Sequence, residues 1–212
     1  MGARKVDNLL ALAVLSVMVE RPMHRYEIAS TLRSHGKDQD MDIKWGSLYT
    51  VVRNMEKAGF LEIVGSERAG GRPERVIYRI TEAGRTELVD WTRDLVARPQ
   101  REQSRFVAGL SVLAVLSPDE VVSLLEQRAA ALEETLAEIR AQVGAVEGLP
   151  RLFLIETEFG VAMLEAELGW VRGLRAELAD GTFPEVETWR QVNRALFDPA
   201  APAVSGWSTD PG

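Results

Sequence analysis

Apolar residues recur at helical spacing in several stretches, and one of them organises the rest. Leu48, Val51, Val52 and Met55 fall at i, i+3, i+4 and i+7, the spacing of one buried helix face. Ser47 before them is a good N-cap and Gly59 behind them a good C-terminal stop. The opposite face carries Tyr49, Thr50, Arg53, Asn54 and Lys57. Upstream, the run Leu9–Val19 is apolar almost all round, so residues 7–20 predict a helix covered on several sides, by its own chain or a second subunit, with Asp7 or Asn8 as cap. His24–Ser34 reads as a second helix with Tyr26, Ile28, Ala29 and Leu32 as its apolar positions and Gly36 at its end.

After Gly59 the period changes. Residues 60–64 and 76–80 are rich in β-branched and aromatic side chains and read as strands. Between them Gly70-Gly71-Arg72-Pro73 is a turn signal. The result is a β-hairpin with a basic tip, Arg68, Arg72, Arg75 and Arg79 against Glu67 and Glu74. Three helices followed by a basic hairpin predict a winged helix-turn-helix. Thr81 caps a further helix with Leu88, Trp91 and Leu95 on one face.

The second half predicts long helices. Pro99 and the polar run 100–104 mark a linker, and residues 106–115 read as a helix. Ser117-Pro118-Asp119-Glu120 is a capping box with Pro at the first helical position. It opens a helix to about residue 146, with Leu125, Leu132, Leu136, Ile139 and Val143 as its stripe. A break at Gly148–Pro150 leads into a helix to about residue 179. Leu152, Ile155, Phe159, Met163, Ala166, Trp170 and Leu174 form its expected seam. Each helix is on the order of 45 Å long, and the pair predicts an antiparallel hairpin with apolar edge left for a second subunit. A short helix around Trp189 follows, then a tail from residue 198 whose Pro, Ala, Gly and Ser predict disorder. The fold class is mainly α with a small β-hairpin. The domain boundaries expected are 1–97 for the winged helix-turn-helix, 98–182 for a helical dimerisation domain, and 183–212 for the short helix and tail.

Charge sharpens this division. Residues 1–95 carry 15 Lys and Arg against 14 Asp and Glu, whereas residues 96–212 carry 10 Arg, no Lys and 18 acids, within a total of −7. An acidic chain is a poor general polyanion binder, so any nucleic-acid contact must come from a local patch in the first half. The chain contains no cysteine, which excludes disulfides, thiolate metal sites and cysteine nucleophiles and fits a reducing compartment. The apolar run Leu9–Val19 is set off from Arg4 and Lys5 by Asp7 and Asn8, ends in Glu20-Arg21-Pro22 and is too short to span a bilayer, so no membrane association is expected and the protein reads as cytoplasmic.

The chemistry then concentrates on the helix after Ser47. Tyr49, Thr50, Arg53 and Asn54 suit base edges or flanking phosphates of a major groove, where Asn pairs with adenine and Arg with guanine. Lys44, Ser47 and Lys57 suit phosphates, and Arg72 and Arg75 the backbone or minor groove. Asp38, Asp40 and Asp42 alternate like a calcium loop, but Ile43 and Tyr49 occupy the positions such a loop needs as Gly and Glu. His24 and His35 have no metal-ligand spacing, and His24 reads as a structural residue near a helix start. No metal or cofactor is expected. Nor is there a nucleophile–base grouping or a phosphate-binding glycine loop before a helix. Apart from an enzyme, the competing class is a protein-interaction adaptor using the fold without DNA. An aromatic ligand, if one binds, has Tyr26, Trp91 and Trp170 as its candidates.

With these residues in place, the sequence resembles the PadR family of bacterial transcription regulators. The resemblance rests on Leu9-Leu10-Ala11-Leu12, Met23-His24-Arg25-Tyr26-Glu27, Gly46-Ser47-Leu48-Tyr49, Gly71-Arg72-Pro73 with Tyr78, and Thr81-Glu82-Ala83-Gly84. Glu156-Thr157-Glu158-Phe159 and the stretch 167–174 resemble the branch with a long C-terminal domain, like the virulence activator AphA. Arg25 departs from the pattern, since the family usually has Gly there. The resemblance implies a cytoplasmic homodimer, joined through the C-terminal helices and the first helix, that binds double-stranded DNA at an inverted-repeat operator. It also implies a repressor, released in several members by phenolic acids or aromatic drugs.

Overall fold

The computed structural model describes residues 4–37, 41, 44–67, 75–99, 104–145 and 148–197. The chain divides into two compact units, residues 1–101 and 102–212.

In the first unit, α1 (Leu9–Met18) is capped by Asn8, whose Oδ1 accepts the Leu10 N–H at 2.9 Å. Eight of its residues, Leu10–Leu15, Val17 and Met18, are buried, and α2, α3, β3 and α4 of the same unit pack on them. The all-round apolar character of α1 is therefore satisfied inside one chain, and it gives no reason to place a second subunit there. A two-residue strand β1 (Met23–His24) leads into α2 (Arg25–Ser34). His24 is the N-cap: its Nδ1 accepts the Glu27 N–H, while the Glu27 carboxylate accepts the His24 N–H. Ile28 and Leu32 are buried as expected, but Tyr26 is 74% exposed and belongs to the surface. Its position follows the period only loosely, and the ring stands outside against His24.

A 3-10 turn, Trp45–Ser47, precedes α3 (Leu48–Lys57), which buries Leu48, Val51, Val52 and Met55. Gly59 ends α3 at φ +82°. Its N–H donates to the Glu56 carbonyl at 3.0 Å, and the Phe60 N–H to that of Met55 at 2.9 Å. This is the paired closure a left-handed residue permits. Strands β2 (Leu61–Glu67) and β3 (Arg75–Ile80) form the hairpin, and β1 adds to the far edge of β3, giving an antiparallel sheet of order β1-β3-β2. Leu61 pairs with Ile80 and Ile63 with Tyr78, with a bulge between Ile63 and Gly65. The hairpin tip with Arg68, Arg72 and the glycines lies outside the described residues, as do Asp38, Asp40 and Asp42. Thr81 caps α4 (Glu82–Ala97), its Oγ1 accepting the Gly84 N–H at 3.0 Å. Trp91 completes the core under the Arg4 guanidinium, which also pairs with Glu87 and Asp94.

In the second unit, α5 (Arg105–Leu110) and a 3-10 turn at Leu113–Val115 replace the single helix expected over 106–115. The Ser117 hydroxyl accepts the Glu120 N–H at 3.2 Å at the start of α6 (Pro118–Ala145). α6 and α7 (Ile155–Ala179) form an antiparallel hairpin crossed by the ion pairs Glu126–Arg175, Arg128–Glu167, Glu133–Arg172 and Arg140–Glu165. The α7 residues that close it are Leu168, Val171 and Leu178, with Leu164 and Leu174 partly buried. The seam read from the sequence is corrected by this arrangement. Of its members Ile155, Phe159, Met163 and Trp170 are all at least half exposed. α7 carries two apolar stripes, and α6 covers the other one. Finally α8 (Val186–Phe197) is tied down by Trp189, whose indole N–H donates to the Leu116 carbonyl at 2.9 Å.

Candidate nucleic-acid interface

The amphipathic division of α3 places its polar side chains together. Tyr49, Thr50, Arg53, Asn54 and Lys57 are all exposed, opposite the four buried apolar residues. Because those four lock the helix to α1, α2 and the sheet, the outer face is presented on a rigid support. Lys44 is exposed just before the 3-10 turn. Ser47 departs from its expected capping role. Its backbone is already helical, at φ −92° and ψ −8°, and its hydroxyl donates to the Lys44 carbonyl at 2.7 Å. The preceding 3-10 turn has taken over the start of the helix, so no side chain caps it.

Residues that sequence periodicity passed over join this face from α2. The Arg25 guanidinium lies 4.1 Å from the centre of the Tyr49 ring, and that of Arg33 lies 4.1 Å from the Trp45 ring. Arg75, at the start of β3, lies 5.8 Å from the Tyr26 ring, linking the base of the hairpin to α2. Each contact brings a cation over an aromatic face. Among the described residues, Arg25, Arg33, Lys44, Arg53, Lys57 and Arg75 are absent from every ion pair to a carboxylate, whereas Arg79 is paired with Glu62 at 2.8 Å. The face is thus locally cationic on a chain of net charge −7. Of the two arginines that join from α2, only Arg25 stood out in the sequence, as a departure from the resemblance around His24 and Tyr26.

The three aromatic candidates for a ligand have different surroundings. Tyr26 lies on the α2 surface, Trp91 is 3% exposed within the first unit's core, and Trp170 is half exposed on α7 beside Phe106. Among the described residues no cluster of three or more His, Asp or Glu is arranged to hold a metal ion, and no helix is long and apolar enough to cross a membrane.

A helix-turn-helix followed by a strand hairpin, with the third helix offering a donor-rich face, defines a winged-helix protein. Residues 14–90 match the model of the Transcriptional regulator PadR-like family. The match spans 77 of the 212 residues, so the likeness to that family lies within the first unit. No curated protein sequence matches the chain. Solved structures of similar fold include Bacillus subtilis PadR in complex with operator DNA, at 18% identity and TM-score 0.63, covering 80% of this chain and 99% of that one. The same protein in complex with p-coumaric acid matches at 17% identity and TM-score 0.64, covering 81% and 99%. The smu.1604c protein of Streptococcus mutans matches at 23% identity and TM-score 0.54, covering 80% and 98%. At these identities the likeness is one of fold. The long C-terminal helical region implied by the sequence resemblance is present as α6 and α7.

Proposed function

We propose that this chain is a sequence-specific DNA-binding regulator that acts as a homodimer on an inverted-repeat operator and represses transcription until a small aromatic effector releases it. The observation that carries the reading is the exposed row Tyr49, Thr50, Arg53, Asn54 and Lys57 on a helix whose other face is core. Such a helix enters a major groove with its side chains toward base edges. Tyr49, Thr50, Arg53 and Asn54 read bases, while Lys44, Ser47 and Lys57 hold phosphates and Arg72 and Arg75 carry the wing contact. Residues 1–97 do the binding, 98–182 the dimerisation, and 183–212 brace the second unit through α8 and end in the tail. The exposed stripe of α7 is the surface on which a second copy closes, which sets the spacing of the two reading helices. The effector reading leans on the p-coumaric acid complex of a protein of the same fold. Of the aromatic candidates, Tyr26 and Trp170 are open to a ligand, and Trp91 becomes so only if the core parts. A cytoplasmic location follows from the role.

A gel-shift titration of the full chain against the region upstream of its own gene tests this reading. A discrete complex that resists excess unrelated duplex is expected. Binding that unrelated duplex removes equally would contradict sequence specificity.

A further inference from the structure

The surface between α2 and the start of α3 forms a groove of about 440 Å³, lined by Arg25, Tyr26, Arg33, Trp45 and Tyr49 over Leu48. Three of those six side chains are aromatic and two are guanidinium groups. Arg25 stands in the first turn of α2 and Arg33 in its last, about 12 Å apart along the helix axis. Each is braced from below by a ring of the following element, Tyr49 or Trp45. A flexible arginine on a solvated helix samples many rotamers, and ordering it costs on the order of its full side-chain entropy. Stacking on a ring holds the planar fork in one orientation beforehand and leaves its N–H edges free to donate. Two pre-oriented forks along one groove suit a ligand with successive anionic groups having oxygens in more than one plane. A nucleic-acid backbone is such a ligand. A lone small anion would engage only one end.

We infer that Arg25 and Arg33 each hold one backbone phosphate of the same DNA strand, beside the groove that α3 enters. The second helix thereby contributes two phosphate contacts of its own. This rests on the DNA-binding reading and adds residues that neither periodicity nor the wing supplies.

Fluorescence anisotropy of the full chain with a labelled mixed-sequence duplex, across a sodium chloride series, reads this directly. The slope of log affinity against log salt reports the phosphates neutralised, about 0.9 per contact on duplex DNA. Arg25→Ala and Arg33→Ala should each shallow the slope by about that amount, and the double variant by about twice as much. Arg25→Lys should restore most of it, because an ammonium still neutralises a phosphate. Arg93→Ala, an exposed α4 arginine paired with Asp90, should leave the slope unchanged. Wild-type slopes in both alanine variants, or an equal loss in Arg93→Ala, would overturn the inference while leaving DNA binding intact. Absence of binding by the wild-type chain would instead bring down the DNA reading itself.

Discussion

Gly84 packs directly on the carbonyl of Phe60: a Cβ built at residue 84 would lie 2.3 Å from the Phe60 oxygen and 2.9 Å from Ile80 Cγ1. The same carbonyl accepts the Thr81 N–H at 3.0 Å, and the Thr81 hydroxyl reaches the Gly59 carbonyl at 2.6 Å. The exit of α3 is thus riveted to the entry of α4, which fixes the direction in which α3 points. Gly84→Ala must push backbone against backbone. It should destabilise the first unit by about 1–3 kcal/mol, measured as a fall in the midpoint of urea unfolding. A midpoint equal to wild type would show that the two turns are not rigidly coupled.

The cap of α2 should be visible in acid. The His24 backbone N–H, donated to the Glu27 carboxylate and aided by Arg21, holds the Glu27 pKa below its ordinary 4.5 against the opposing effect of burial. A depressed pKa means the stabilisation is complete above 4.5 and is lost as pH falls through the lower, folded value. The carboxylate is 35% exposed, so the effect is screened to roughly 0.5 kcal/mol. Glu27→Gln should narrow the difference in unfolding free energy between about pH 7 and about pH 3. An unchanged difference would mean the carboxylate does not contribute.

If the proposed homodimer closes on the open stripe of α7, its two stripes separate stability from assembly. Leu168 lies inside the α6–α7 hairpin at 7% exposure, and Leu168→Ala should cost about 2–5 kcal/mol of unfolding free energy. Phe159 and Met163 lie on the open stripe, at 67% and 54% exposure. Phe159→Glu should leave helicity by circular dichroism intact while weakening self-association by about 2 kcal/mol or more. Light scattering after size exclusion, at several concentrations, reads the shift. A dimer as tight as wild type would place the interface elsewhere.

Base readers and phosphate holders should part in competition. Asn54→Ala should lose about 1–3 kcal/mol of preference for operator over unrelated duplex, with little change on the unrelated one. Lys57→Ala should weaken both alike and shallow the salt dependence. Paired titrations on the two duplexes distinguish them, and identical behaviour of the two variants would contradict the assignment.

The elements with one apolar face were legible in the sequence. Leu48, Val51, Val52 and Met55 allow α3 a single way to bury itself, and Gly59 and Thr81 mark ends that the backbone geometry requires. What escaped has physical reasons. β1 is two residues long and has no period to detect. Tyr26 sits near an apolar phase but carries a hydroxyl and stays in water. α7 has apolar residues on two faces, and periodicity does not say which one α6 covers. Ser47 has the chemistry of a cap, yet a 3-10 turn before it changed the backbone it would have capped. At the site, α3 could be read because its polarity is local. Arg25 and Arg33 could not, since their partners Tyr49 and Trp45 are brought to them only by the packing of α2 on α3.

The central claim, that the outer face of α3 reads base sequence, is tested most directly by a specificity ratio. The affinity of the full chain for its own upstream operator is divided by that for a shuffled duplex at one salt concentration, in wild type and in Arg53→Ala/Asn54→Ala. The double variant is expected to bring the ratio down by roughly 2 kcal/mol or more, toward unity, while it remains folded and dimeric. A ratio that stays at the wild-type value would contradict the claim and move sequence reading to another part of the chain.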